Sequence, residues 1–297
     1  MLGVVNLDKP VGPTSHDMVG LLRRLTGTRR IGHAGTLDPL ASGVLPILVG
    51  PATRFSQELT GGRKRYDAVI RLGQRSATDD AEGPIEPGPG PLPVRAEVEA
   101  ALAGFVGTFE QRPPAFSARK SGGQTAHRAA RAGTPLEMPS RSVTVDSIEL
   151  LGYEEGEAWV DVRVDLRCGP GTYVRSIARD LGDRLGCGGH LVALRRTEAA
   201  GLRLDGAHTP DELERLADAG RLRDAILPVG GLLPLPRLAL DAEQAVRFRH
   251  GSAVRLGGVT PAAGRHAVFG DEELLGVGSV TGGMLQPEKV LATQAQA

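Results

Sequence analysis

The sequence has little of what several common chemistries require. It holds two cysteines in 297 residues, Cys168 and Cys187, in no CxxC pair and no Cys/His cluster of zinc spacing. Two small buried thiols are expected, and no metal site. There is no GxxxxGKS/T phosphate loop, no GxGxxG fingerprint, no HExxH and no GxSxG elbow. An ATP-, nicotinamide- or zinc-dependent mechanism therefore has no support. No uninterrupted apolar run approaches the ~20 residues that cross a bilayer, and the first residues carry no signal-peptide pattern. A cytoplasmic protein with no membrane partner is expected. Net charge is also missing, because 35 Lys/Arg balance 35 Asp/Glu.

What is present is a segregated distribution of that charge. Residues 1–75 carry eleven Lys/Arg against five Asp/Glu, and 111–145 carry six against one. The compensating acids lie in 76–110, where seven face a single Arg, and in 205–224. Local basic faces attract phosphate more than the total charge does. The hydrophobic share of 40% is enough for a sizeable core, and 297 residues exceed one ordinary domain.

Residues 2–7 read as a buried strand. Thr14 or Ser15 can cap a helix carried by Met18, Leu21, Leu22 and Leu25 and ended by Gly27. Residues 66–73 alternate as a half-buried strand, and Val98, Ala101, Leu102 and Phe105 mark a helix. Residues 111–140 are rich in Pro, Gly, Arg and Ser and too long for an idle connection, with a helix possible over 125–131. Strands follow near 143–151 and 158–167. Thr172 then caps a helix with Val174, Ile177, Ala178, Leu181 and Leu185 on its buried face. A strand spans 190–197, and Thr209-Pro210-Asp211-Glu212 forms a capping box. A Pro/Gly/Leu-rich stretch at 228–237 separates a domain 1–231 from a β-rich module 232–297, with strand-like pieces at 253–256, 266–269 and 274–280. Strands and helices without regular alternation place the chain in the α+β class.

The chemistry concentrates in residues 32–45. One aspartate, Asp38, stands among small and apolar residues, with glycines at 32, 35 and 43 that allow tight turns and close approach. Pro39 biases Asp38 away from helical geometry. The alternative reading is a plain Asp-Pro turn or helix start. Arg175, in the first turn of the 173–185 helix, can pair with a carboxylate and keep it ionised, or can be a surface charge. Tyr66, after Arg63-Lys64-Arg65, can stack on a base and move a proton, or can be a core tyrosine. His33 can wedge into unstacked nucleotides, or can be a turn histidine. A glycosidase would need a second acid across the substrate, and these motifs supply none.

Together these residues resemble the TruB family of bacterial tRNA pseudouridine synthases. The resemblance runs from Val5 to about Thr197 and is weaker beyond. It is carried by Asn6-Leu7-Asp8-Lys9-Pro10 with Gly12 and Thr14-Ser15, then by 32–45 with Pro46 and Gly50. Arg65-Tyr66 with Arg71-Leu72-Gly73 follows, then Pro113-Pro114, Ser117-Ala118 and Lys120. The last motifs are 168–185 with Gly186-Cys187-Gly188 and Leu194-Arg195-Arg196.

The resemblance implies a pseudouridine synthase fold, with a mixed, largely antiparallel sheet flanked by helices and a small PUA-like RNA-binding domain at the C-terminus. It implies isomerisation of uridine 55 in the T loop of transfer RNA, with base flipping and without metal or cofactor. Asp38 then takes the catalytic position, acting at ribose C1′, at the uracil ring or as a base at C2′. Arg175 pairs with it. Tyr66 stacks on the target base and assists proton transfer. Leu194 lines the uracil pocket, Lys9 and Tyr173 support the site, and His33 fills the space left by flipped nucleotides. Lys120 belongs to an RNA-gripping insertion at about 111–140, where His127 stands in place of a frequent tyrosine. The partner is the T stem-loop, with no obligate protein partner and a monomeric enzyme. The alternative is a non-catalytic tRNA-binding or RNA-folding protein on the same scaffold.

Overall fold

Nine consecutive buried residues, Ala41–Val49, form the strand at the centre of the molecule. Sequence periodicity misses it, because the strand is apolar on both faces and contains Gly43 and Pro46. Both interruptions fit the pairing. Gly43 has φ 101°, and a Cβ there would stand 2.2 Å from the Arg196 carbonyl oxygen of the neighbouring strand. Pro46 stands opposite Asn6.

The computed structural model describes residues 1–116, 120–121, 124–125, 139–257 and 261–291. The main sheet runs in the order Ile226–Leu227, Gly3–Lys9, Ala41–Val49, Gly189–Ala199, Lys64–Leu72, Val160–Cys168, Arg141–Glu155, Gly107–Gln111. The pairing of Gly189–Ala199 with Ala41–Val49 is parallel, and the neighbouring pairings along this order are antiparallel. Ile31–His33 pairs with Ala41–Val49 as well. The architecture is the mixed, largely antiparallel α+β sheet that the family resemblance implies.

Successive side chains of a strand point to opposite faces. Val5, Leu7, Leu45 and Ile47 meet a core shared with the helices Ser15–Thr26, Arg95–Ala103, Val174–Arg184 and Pro210–Asp218. Val4, Val44 and Leu48 point the other way, into a second core that includes Ala267, Phe269 and Val277 of a C-terminal five-stranded sheet. That smaller sheet covers its own far face with Ala242–Arg249, through Phe248. The sequence reading lacks this helix, although Asp241 and Gln244 form a capping box at its start. Both cysteines are buried and free. Among the described residues no helix is long and apolar enough to cross a membrane.

Local signals fix several boundaries. Thr14 caps Ser15–Thr26 with a capping box to Asp17, and Gly27 closes it in the left-handed conformation. Thr209 and Glu212 cap Pro210–Asp218. The helix Val174–Arg184 departs from expectation. Its N-cap is Tyr173, because the Thr172 hydroxyl donates instead to the Gly169 carbonyl at 3.2 Å. In the 111–140 insertion, the backbone of Lys120–Ser121 pairs with Gln124–Thr125. Residues 126–131, Ser117, Ala118, His127 and the Lys120 side chain lie outside the described residues.

An ion cluster ties the short helix Ser56–Thr60 to the C-terminal sheet. Glu58, 3% exposed, accepts from Arg265 at 2.6 Å and from Lys289 at 2.8 Å. Burial opposes its ionisation most strongly, but the hydrogen bonds from Lys289 and Arg265 outweigh that and hold its pKa below the usual value. A depressed carboxylate contributes stability above its unfolded pKa and loses it as pH falls through the folded pKa. Glu58→Gln is expected to cost about 1–3 kcal/mol, less than a fully buried pair because Arg265 and Lys289 regain water. That corresponds to a fall in Tm of roughly 3–10 °C near pH 7. The gap to wild type should narrow as the pH is lowered below about 4.5. Calorimetry across pH checks this, and an equal gap at all pH values would remove Glu58 from the account.

Candidate active site

Asp38 stands on the loop between Ile31–His33 and Ala41–Val49, and four sets of contacts fix that loop. Its own carbonyl accepts from Ala41 N at 3.0 Å, closing a tight turn. Ser15, the buried first residue of its helix, uses its hydroxyl twice on Leu37, accepting from N at 2.8 Å and donating to O at 2.9 Å. Gly12 N donates to the Pro39 carbonyl at 2.9 Å. Arg196, 1% exposed, supports the loop, reaching Val44 O at 2.7 Å, Gly35 O at 3.1 Å and Thr36 O at 3.4 Å. A guanidinium has five donors in a rigid fork and can hold several carbonyls at once.

The Asp38 carboxylate is 39% exposed and faces a cavity of about 270 Å³. Arg175 reaches it from the first turn of Val174–Arg184, with Nη2 2.9 Å from Oδ2. The same guanidinium lies 3.3 Å from Asp80, 3.2 Å from Thr78 O and 2.9 Å from Phe116 O. Asp80 is 3% exposed and is itself held by the Thr78 hydroxyl at 2.5 Å and Glu82 N at 3.1 Å. Arg175 is thus clamped between a buried carboxylate behind and a solvent-facing one in front.

Tyr66, Leu194, Tyr173 and Arg175 line the cavity with Asp38. Tyr66 is buried, and desolvation raises its pKa, so the phenol stays protonated and can donate. Tyr173 is fixed by the buried Gln111 amide, which accepts from its N at 2.9 Å and donates to its O at 3.1 Å. Among the described residues, Asp38 is the only carboxylate lining this cavity.

Two candidates stand apart from the lining. Lys9 is fully buried and donates to Pro10 O and Pro13 O, both at 2.7 Å. It ties the turn that carries Gly12, and burial pushes its pKa down to about 8. His33 does not line the cavity. It is partly buried with Nδ1 unpaired, and desolvation followed by the Arg196 charge lowers its pKa. The Lys120 side chain lies outside the described residues.

Sequence reading misses Arg196, Asp80, Ser15 and Lys64 as parts of the site. Asp80→Asn keeps the shape but removes one of the two charges that orient Arg175. A misplaced catalytic group costs up to ~10²-fold, so kcat should fall roughly 10- to 100-fold with KM nearly unchanged. Steady-state kinetics checks this, and a wild-type kcat would show that Asp80 has no positioning role.

Three family models match the chain. Residues 23–174 match the TruB family pseudouridylate synthase N-terminal domain, and 175–233 match the tRNA pseudouridylate synthase B C-terminal domain. Residues 236–291 match the C-terminal model of pseudouridine synthase II TruB. The chain is 43% identical over 301 residues to tRNA pseudouridine synthase B of Ralstonia pickettii strain 12J, covering 97% of this chain and 94% of that one. It is 45% identical over 302 residues to the protein of the same name from Burkholderia lata strain 383, covering 99% and 91%. A solved H/ACA RNP bound to a substrate RNA containing 2′-deoxyuridine is similar with TM-score 0.75 and 26% identity, over 99% of this chain and 86% of that one. The archaeal box H/ACA sRNP Nop10-Cbf5 complex is similar with the same TM-score and identity, over 98% and 87%.

Proposed function

The chain belongs to the TruB family of pseudouridylate synthases, and from that premise we propose that it isomerises uridine 55 in the T loop of transfer RNA, with Asp38 as the catalytic residue. The observation that carries the reading is the Asp38–Arg175 pair at 2.9 Å on the wall of a cavity that Tyr66 and Leu194 also line. Such a cavity has room for one flipped base. Grip on RNA alone has no use for a carboxylate that repels phosphate.

In the reaction the N1–C1′ bond breaks, the uracil turns, and a C5–C1′ bond forms. The C5 proton leaves to solvent and N1 gains one. A uridine inside a folded loop must first leave its stack, which costs a few kcal/mol and is offset by stacking and pocket contacts. Tyr66 supplies that stacking face and a phenolic proton. Leu194 closes the apolar side of the pocket. Arg175 orients Asp38 and offsets its charge, which serves attack at C1′, addition to the ring or removal of the C2′ proton alike. Lys9 and Tyr173 hold the loop and the helix start. His33 takes the place of flipped nucleotides, and Lys120 with the insertion at 111–140 grips the T stem. Residues 1–231 form the catalytic unit and 232–297 a PUA-like RNA-binding unit. The enzyme works as a cytoplasmic monomer on free tRNA, and no cofactor enters the proposal.

The test is position. An unmodified tRNA transcript treated with the protein, reacted with carbodiimide and copied by reverse transcriptase should show a single new stop marking residue 55. A stop elsewhere, or none, contradicts the assignment.

A further inference from the structure

A second cavity, of about 500 Å³, adjoins the catalytic one, and Lys64 lines both. Its volume falls within the roughly 300–1,000 Å³ of typical ligand pockets. Its floor is apolar, formed by the buried residues Leu59, Ala199, Ala200, Leu202 and Leu233. Ala200 and Gly201 make the two-residue turn between paired strands, and both have positive φ, 53° and 76°.

The rim carries Arg63, Arg167 and Arg203, and the acids nearby are already engaged. Glu58 is bonded to Arg265 and Lys289. Glu198 lies 3.6 Å from Arg65, 3.8 Å from Arg167 and 3.4 Å from Arg203, one carboxylate against three guanidinium groups. Arg63 is also paired with Asp146, Arg65 with Asp165 and Arg203 with Asp205, so the weakly matched cation of the rim is Arg167, whose 3.8 Å contact to Glu198 is shared with two other guanidinium groups. Lys64 adds a further cation. The residue is 9% exposed, and its ammonium donates to Thr60 O at 2.9 Å and Gly62 O at 2.8 Å, with no ion-pair partner among the described residues. Burial pushes its pKa down to about 8. A buried cation without a counter-ion is costly, and an incoming anion relieves that cost.

We propose that the second cavity is a nucleotide subsite for the RNA strand next to the target uridine, with a base or ribose on the apolar floor and backbone phosphates on Lys64, Arg167 and Arg203. The inference rests on the uridine-isomerising reading above and extends it. Lys64, on the wall common to both cavities, meets the phosphate that links the flipped uridine to its neighbour.

The experiment uses the full chain and an unmodified tRNA transcript. Gly231 lines the second cavity, has no atom within 4 Å of a built Cβ and has no positive φ, so Gly231→Phe fills the space without forcing the backbone. Gly231→Phe, Arg167→Gln and Arg203→Gln are each made in an Asp38→Asn background and titrated with tRNA over a range of salt. Gly231→Phe should weaken binding about tenfold. Each arginine variant should reduce the magnitude of the log Kd–log salt slope by about one, the signature of one lost phosphate contact. Thermal unfolding reads stability separately. Affinities and slopes equal to the parent would overturn the subsite. The chain with Asp38 intact is assayed for pseudouridine on the same transcript. If it forms pseudouridine and the variants bind normally, only the subsite fails. If it forms none, the reading beneath it fails as well.

Discussion

Asp38→Asn is expected to lower the rate of pseudouridine formation by at least about 10⁴-fold, roughly 5 kcal/mol of transition-state stabilisation. The substitution keeps the size and planarity of the side chain and removes only its charge and basicity. One amide oxygen can still accept from Arg175, and the loop contacts through Ser15, Gly12 and Arg196 do not involve the carboxylate. The cavity should therefore persist. With the side chain 39% exposed, the stability cost is small, a change in Tm within about 3 °C. Affinity for tRNA should remain within a few-fold, because the carboxylate gives nothing to phosphate binding. Filter binding and calorimetry check these two invariants. A large loss of either would mean that Asp38 holds structure rather than serving the chemistry.

Arg175→Lys should cost about 10²–10³-fold in kcat although the charge is kept. The guanidinium places Nη1 and Nη2 on Asp38, Asp80, Thr78 O and Phe116 O together. A single ammonium has three donors and no planar fork, so it can serve the buried carboxylate or the exposed one but not all four groups. Serving Asp80 leaves Asp38 without an orienting partner, and small misplacement is expensive in rate. Arg175→Ala separates the two contributions. It leaves Asp80, 3% exposed, as an uncompensated buried charge, at a cost of about 3–5 kcal/mol and roughly 10 °C in Tm. The lysine variant should lose rate with much less stability. Equal stability losses in both variants, with a normal rate for lysine, would refute the clamp.

The extent to which sequence reveals this molecule depends on how local each cause is. Thr14 with Asp17, Gly27, and Thr209 with Glu212 act within one turn of the chain, and they place their helices correctly. The Asp38 loop is visible as a carboxylate among glycines. Ala41–Val49 is not visible as a strand, because it is covered on both faces and shows no alternation. Only its neighbours explain why Gly43 and Pro46 are tolerated within it. Thr172 reads as a cap, but a carbonyl three residues back claims its hydroxyl.

Three of the four missed site residues share one cause. Arg196, Lys64 and Asp80 are charged and read as surface, whereas the fold buries them, turning Arg196 and Lys64 toward backbone carbonyls and Asp80 toward Arg175. Asp80 lies in the acidic stretch that otherwise reads as compensating charge. Its pairing with Arg175 crosses 95 positions that only the folded sheet brings together.

The central claim is that this chain converts uridine to pseudouridine through Asp38. It is tested most directly by release of tritium from a tRNA transcript labelled at uracil C5, with the wild-type chain and Asp38→Asn side by side. C5 loses its hydrogen only when it becomes the new point of attachment. Release by the wild type with none from Asp38→Asn is the predicted result. Release by both would remove Asp38 from the chemistry, and release by neither, with tRNA still bound, would contradict the enzymatic reading itself.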